Sequence, residues 1–221
     1  MGSVIAGILP LALAIVASAA AIIALIVLLM GGRGTVVGGA FCAGWFLGVM
    51  AVMALAITFG LAAPADSPRW ELWTRLVIGA LLLALAMRKI LVIRRAPSRE
   101  RRQPRWMSGL AGMGAGRALL LGALLAGVNP KNLLLALAAA SAVVASTLPE
   151  AQMWGAAAIF AVIASGGVLV PFSIYLVMGA RAKVPLASVR TWMEGNTDGI
   201  TLTILLIFGA KLVADGIAGL T

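Results

Sequence analysis

The stretch RALLLGALLAGVNPKNLLLALAAASAVVAS, residues 117–146, decides the fold class of this chain. It is almost wholly apolar and longer than the ~20 residues that a helix needs to cross the hydrocarbon core of a bilayer. Near its middle stands Asn129-Pro130-Lys131. Proline disfavours a helical conformation in the residue before it, while asparagine suits a helix cap and proline the first helical position. The stretch therefore predicts a transmembrane helix that stops and restarts at Asn129-Pro130.

Such a break predicts a binding site. An interrupted helix exposes backbone N–H groups at the positive end of a helix dipole, which a membrane tolerates only against protein or a polar cavity. Lys131 adds a full charge, which costs ~2.5–3.5 kcal/mol at the centre of a bilayer on insertion scales. We expect Asn129, Pro130, Lys131 and Asn132 to bind an anionic group, with Lys131 facing a polar cavity. The alternative is a structural kink from which Lys131 extends to an interface.

The composition extends the membrane assignment to the whole chain. Of 221 residues, 62% are hydrophobic and 11% are charged, against roughly 45–50% and about 25% in soluble domains. A soluble core of this size cannot bury that much apolar surface. We predict an all-α polytopic membrane protein with six transmembrane helices, over residues 4–30, 36–61, 72–93, 117–146, 152–180 and 199–218.

These six stretches divide into two halves of three. The first half covers residues 1–93, a basic linker covers 94–116, and the second half, with the broken helix, covers 117–221. Because three is an odd number, the second half would be inverted relative to the first. Inverted repeats of this kind recur among transporters.

The basic residues predict the orientation. Cytoplasmic loops of membrane proteins carry an excess of Lys and Arg. With the linker inside, thirteen of the 17 basic residues fall on the cytoplasmic side and both termini fall outside: Arg33, Arg88, Lys89, Arg94, Arg95, Arg99, Arg101, Arg102, Arg105, Arg117, Arg181, Lys183 and Arg190. The net charge of +10 is thus explained by topology, and we expect no nucleic acid partner.

The composition also excludes several chemistries. The chain has no His and a single Cys, Cys42, so it lacks imidazole catalysis, His-ligated metal sites and a dithiol relay. It has seven acidic residues and no Gly-rich phosphate loop that ends in Lys-Ser or Lys-Thr. We therefore expect no enzyme, no catalytic or metal-binding residues and no cofactor.

Three further features remain open at this level. Lys211 and Asp215 lie four residues apart on one helix face, either as an interfacial pair or as charges along a substrate path. Ala40, Gly44 and Gly48 form a small-residue face for internal packing or for a homodimer. The segment Arg94–Arg105 either sets topology, attracts anionic lipid headgroups, or binds a cytoplasmic partner of lipid synthesis.

Several segments together resemble a known family. They are ILPLALAIVASAAAIIALIVLLMGGRG (8–34), AFCAGWFLG (40–48), NPKNLLLALAAA (129–140), PFSIYLVMGARA (171–182) and VRTWMEGNTDGI (189–200). They resemble the GAP/Sap proteins, the glycopeptidolipid- and sulfolipid-addressing proteins of actinobacteria, a branch of the LysE exporter superfamily. The Asn-Pro-Lys motif is similar to that of other LysE-type exporters. The resemblance implies six spans in two halves and the outward movement of envelope lipids or small solutes.

One departure from the family concerns the first span. The family carries a break with Ser-Pro there, where this chain has Ser18-Ala19-Ala20. We therefore expect the first span to lack a break that mirrors Asn129-Pro130, and we keep Ser18 as a candidate substrate-binding residue.

The sequence as a whole predicts a multi-pass protein of the bacterial inner membrane. Its expected role is the export or translocation of envelope (glyco)lipids that carry an anionic group. The alternatives are an exporter of small, amino-acid-like solutes and a non-transporting scaffold of a lipid synthesis or export complex.

Overall fold

The architecture comes from a computed structural model that describes residues 1–31, 33–59, 68–95, 109–110 and 112–219. These residues form nine α-helices and no strand. The helices are α1 Gly2–Val16, α2 Ala19–Leu29, α3 Gly34–Thr58, α4 Pro68–Arg95, α5 Ala115–Gly127, α6 Pro130–Val144, α7 Glu150–Ala164, α8 Gly166–Met178 and α9 Lys183–Ala218. A short 3₁₀ turn, Gly179–Ala182, joins the last two.

The helices are apolar enough for a multi-pass membrane protein. Three helical segments of the described chain have the length and hydropathy to cross a bilayer: Gly34–Thr58, Leu72–Arg95 and Gly166–Ala218. Two bent pairs qualify when each pair is taken as one span, which raises the number to five. These pairs are α1 with α2, bent by 53°, and α5 with α6, bent by 65°. The all-helical membrane fold is therefore supported, with three to five candidate spans.

Small residues bring α3 and α5 into close contact. A Cβ atom added to Gly48 would lie 2.6 Å from the carbonyl oxygen of Ala123, and one added to Gly44 would overlap the backbone of Leu119. Gly122 of α5 meets the Phe41 backbone in the same way. The small-residue face of α3 thus serves internal packing, because only glycine lets two backbones approach this closely.

Helices α4 and α9 also pack closely against each other. Gly79 of α4 lies against Gly209 and Val213 of α9. Towards the other end of the pair, the Lys89 Nζ atom lies 3.0 Å from the Asp198 Oδ1 atom. Since α4 and α9 belong to different halves of the sequence, this pair holds the halves together.

The segment that follows α8 differs from the sequence-based expectation. The spans predicted at 152–180 and 199–218 leave a connecting loop with Arg181, Lys183 and Arg190 between them, but α9 begins at Lys183 and continues to Ala218. The one proline of α9, Pro185, lies in the first turn of the helix. Backbone N–H groups of the first turn have no partner within a helix, so proline, which lacks this group, is tolerated there. Lys183 and Arg190 therefore lie on a helix that extends beyond the apolar span, while Arg181 lies in the 3₁₀ turn before it.

The predicted linker falls largely outside the described residues. Arg94 and Arg95 form the last turn of α4, and residues 96–108 and 111 are not described. The division into residues 1–93, 94–116 and 117–221 stays a prediction.

Candidate functional site

The first break lies between α1 and α2. Helix α1 ends at Val16, α2 begins at Ala19, and Ser18 precedes the new helix with φ −85° and ψ 84°. The expectation of an unbroken first span is wrong. No proline causes this break; instead the end of α1 packs against another helix, where Gly167 of α8 meets the backbone of Val16. The break depends on tertiary contacts, which explains why the local sequence did not indicate it.

The second break lies between α5 and α6, where the sequence predicts one. Helix α5 ends at Gly127, and Pro130 is the first residue of α6. Asn129 is extended, with φ −62° and ψ 119°, and its Oδ1 atom accepts a hydrogen bond of 3.1 Å from the Lys131 backbone N–H. Asparagine thus caps the restarted helix and proline occupies its first position, as their side chains favour.

Side chains from the first turn of α6 connect the two breaks. The Lys131 ammonium donates a hydrogen bond of 2.8 Å to the carbonyl oxygen of Ala14 in α1. The Ser18 hydroxyl donates one of 3.1 Å to Asn132 Oδ1. We call Ser18, Asn129, Lys131 and Asn132 the break cluster. The structure therefore brings together, within one buried contact network, the candidate residues that the sequence placed on two different spans.

Residues of the break cluster donate hydrogen bonds to carbonyl groups at corresponding positions of α1 and α5, the first helix of each bent pair. The last carbonyl groups of any helix lack partners within it. Ala14 lies four residues before Ser18, and its carbonyl accepts from the first turn of α6. Leu125 lies four residues before Asn129, and its carbonyl accepts a bond of 3.1 Å from Asn132 Nδ2. The same turn thus completes the C-terminal ends of both α1 and α5.

No carboxylate within the described residues pairs with the Lys131 charge. The three acids of α9 are paired elsewhere, Glu194 with Arg190, Asp198 with Lys89 and Asp215 with Lys211. Lys131 faces the negative end of the α1 dipole instead. A hydrogen bond with a charged partner contributes about 1.5–3 kcal/mol, which is comparable to the ~2.5–3.5 kcal/mol cost of a Lys at mid-membrane. The contact with Ala14 thus offsets the cost of the Lys131 charge without a carboxylate from the described residues.

The break cluster is closed in this conformation. Lys131 is 6% exposed, Ser18 5% and Asn132 1%. The sequence predicted that Lys131 faces a polar cavity, whereas here its ammonium is enclosed by the end of α1. Access to the charge therefore requires the Lys131–Ala14 contact to open.

Lys211 and Asp215 lie apart from the break cluster. They form an ion pair within α9 and line a cavity of about 140 Å³ together with Pro10 of α1, Arg75 of α4 and Ala138 of α6. The cavity therefore lies where elements of both sequence halves meet, and charges of both signs line it. The contribution of Arg75 was missed, because the sequence analysis did not single out this residue as a candidate for a site.

The backbone acceptors of the site were also missed. No sequence signal distinguishes the carbonyl of Ala14 from those of its apolar neighbours. Within the described ranges, no group of three or more Asp, Glu or Cys side chains lies close enough to hold a metal ion.

A comparison with protein families adds to this geometry. Residues 8–218 match the family described as Sap, sulfolipid-1-addressing protein. The chain belongs to the Sap family. The Sap match includes both helix breaks and all the candidate site residues, from Ser18 to Asp215. Neither a curated protein nor a solved structure matches the chain. Membership in the Sap family indicates a role in lipid export or addressing.

Proposed function

We propose that this protein is a translocation factor of the bacterial inner membrane that moves envelope lipids with an anionic headgroup outward. The observation that carries the proposal is the buried Lys131 at the meeting point of two broken spans. Its ammonium is held by a neutral carbonyl and, within the described part of the chain, by no acid. The description of the matched family, sulfolipid-1-addressing protein, supports a lipid as the cargo.

The anionic group would replace the carbonyl as the partner of Lys131. A charged acceptor binds an ammonium more strongly than a neutral one does, so a sulfate or phosphate group can compete with the carbonyl of Ala14. That exchange would release the end of α1 from α6. Substrate binding and the movement of a broken helix would then be the same event.

The arrangement of the helices favours two inverted halves. The broken pairs α1–α2 and α5–α6 occupy the same place in their halves, and their N-cap residues Ser18 and Asn129 stand at equivalent positions. In broken-helix transporters, substrate sites lie near the midplane where such repeats meet. With six spans, both termini would lie outside the cell.

Substitution of Lys131 tests the proposal. Lys131→Gln keeps a hydrogen-bond donor but removes the charge, whereas Lys131→Arg keeps the charge. We expect Lys131→Gln to lower the surface amount of the anionic lipid tenfold or more, because one charge-assisted contact is worth about 1.5–3 kcal/mol. Lys131→Arg should retain part of the activity. The measurement is quantitative mass spectrometry of surface-extracted lipids in a deletion strain complemented with each variant.

Protein abundance and a second variant provide the controls. Each variant must be present in the membrane at the wild-type amount, measured by quantitative immunoblotting. Ser18→Ala changes the same contact network without touching the charge, so it should export more than Lys131→Gln. Normal export by Lys131→Gln at normal abundance would show that Lys131 is only structural.

A small-solute exporter is the second candidate. The cavity lined by Arg75, Lys211 and Asp215 offers charges of both signs in about 140 Å³, which suits a small zwitterion better than a lipid. Under this alternative, Lys211→Gln would abolish efflux of a radiolabelled amino acid from preloaded vesicles.

A non-transporting scaffold would respond differently to the variants. Deletion of residues 99–105 would then abolish the appearance of the lipid at the surface, while Lys131→Gln would stay active.

A further inference from the structure

An apolar groove runs between α4 and α6. Two adjoining cavities, of about 450 Å³ and 360 Å³, share Leu81 of α4 and Leu134 of α6 as lining residues. The α4 residues that line the groove recur every three to four positions, so they lie on one face of the helix. Its lining residues on this helix are Trp73, Thr74, Val77, Ile78, Leu81, Ala84, Leu85 and Arg88.

The groove is long and its wall is accessible. Trp73 and Val77 are each 55% exposed and Leu81 is 47% exposed. At 1.5 Å per residue, the distance along α4 from Trp73 to Arg88 is about 22 Å. One leaflet contributes about half of the ~30 Å hydrocarbon core, so the groove has room for a full acyl chain.

One end of the groove carries a positive charge. Arg88 lines the same cavity as Val128 and Pro130, next to the break before α6. Among the described residues, no acidic side chain lines either cavity, and none forms an ion pair with Arg88. An arginine at the end of an apolar groove is complementary to a molecule with a long apolar chain and one anionic end.

We infer that the α4–α6 groove binds a membrane lipid with an anionic headgroup, with the acyl chain along Leu81 and Leu134 and the headgroup at Arg88. This inference rests on the proposed function, for which it supplies the lateral route by which a lipid reaches the break cluster. Pro130, in the wall of the groove, directly precedes Lys131. A headgroup at Arg88 therefore lies next to the turn that holds the buried charge.

Native mass spectrometry of the purified full-length protein tests the groove. The probes are dioleoyl phosphatidate and dioleoyl phosphatidylcholine, which share acyl chains and differ in headgroup charge. We expect phosphatidate to be retained preferentially, and Arg88→Gln to weaken its binding about tenfold, as expected for loss of one charge-assisted contact. Arg88→Lys should retain most of the binding. Leu81→Trp, which fills the groove, should weaken binding of both lipids.

Two matched control variants test whether the loss of lipid binding is specific to the groove and to the charge of Arg88. Met87→Trp adds the same side chain at a 58% exposed position of α4 that lines neither cavity. Arg95→Gln removes a charge from the end of the same helix. Both should bind phosphatidate as the wild type does. Equal retention of the two lipids, or equal loss in Leu81→Trp and Met87→Trp, would overturn the inference.

The Lys131 variant separates this inference from the proposed function. Lys131→Gln should still bind phosphatidate in the groove while export fails. If Lys131→Gln exports normally but Arg88→Gln no longer binds phosphatidate, the proposed function is wrong and lipid binding in the groove is supported. If Lys131→Gln abolishes export but Arg88→Gln binds phosphatidate normally, the inferred lipid site in the groove is wrong and the proposed function is supported.

Discussion

At the scale of single residues, the break cluster shows how a few polar groups are tolerated in an apolar core. Of the five polar or charged residues buried among the described ones, three are Ser18, Lys131 and Asn132. They bond to one another or to helix-end carbonyls. A buried polar group without a partner costs about 1–3 kcal/mol. The network thus satisfies helix ends that the breaks would otherwise leave unpaired.

Ser18→Ala tests the contribution of this network to stability. The substitution removes the donor to Asn132 Oδ1, and interhelical hydrogen bonds in membranes contribute about 0.6–1.7 kcal/mol. We expect the free energy of unfolding in mixed micelles to fall by that amount. Ser188→Ala is the matched control, because the exposed Ser188 hydroxyl bonds only within its own helix. An equal loss in both variants would contradict the role assigned to the Ser18–Asn132 bond.

At the scale of helices, the α3–α5 contact depends on glycine. Gly44 is buried and its Cα faces the α5 backbone at Leu119. Close van der Waals packing of small residues of this kind holds helices together in membranes. Removing that fit should separate the two helices without changing either one.

Gly44→Ala is expected to destabilise the protein. The added methyl group overlaps the Leu119 backbone, and overpacking of this kind costs about 1–3 kcal/mol. Gly116→Ala on α5 is the control, since a Cβ there meets no atom within 4 Å, and alanine favours a helix over glycine. Thermal unfolding in detergent should show a lower midpoint for Gly44→Ala and an unchanged or higher one for Gly116→Ala. The opposite order would contradict the packing described.

At the scale of the whole molecule, the basic residues predict the orientation in the membrane. Both termini are expected outside and residues 88–105 inside, because Lys and Arg are retained on the cytoplasmic side. In a Cys42→Ala background, a membrane-impermeant maleimide applied to intact cells should label Asp66→Cys and not Ser98→Cys. Both positions lie outside the described residues. Labelling at position 98 with protection at position 66 would reverse the assigned orientation.

The sequence by itself determined the membrane class, the positions of most apolar helices and the break at Asn129-Pro130. These features depend on local properties, namely hydropathy and the conformational limits of Asn and Pro, which act within a few residues along the chain. Membership in the Sap family could likewise be inferred from motifs along the chain.

Only the tertiary structure decided how the two breaks are connected. The bend at Ser18 has no proline and depends on contacts with Gly167 and with the first turn of α6. The acceptor of the Lys131 charge is a backbone carbonyl of Ala14, 117 residues away. Every residue carries such a carbonyl, so hydropathy and motifs cannot indicate which one will be left free at a helix end and which side chain will reach it.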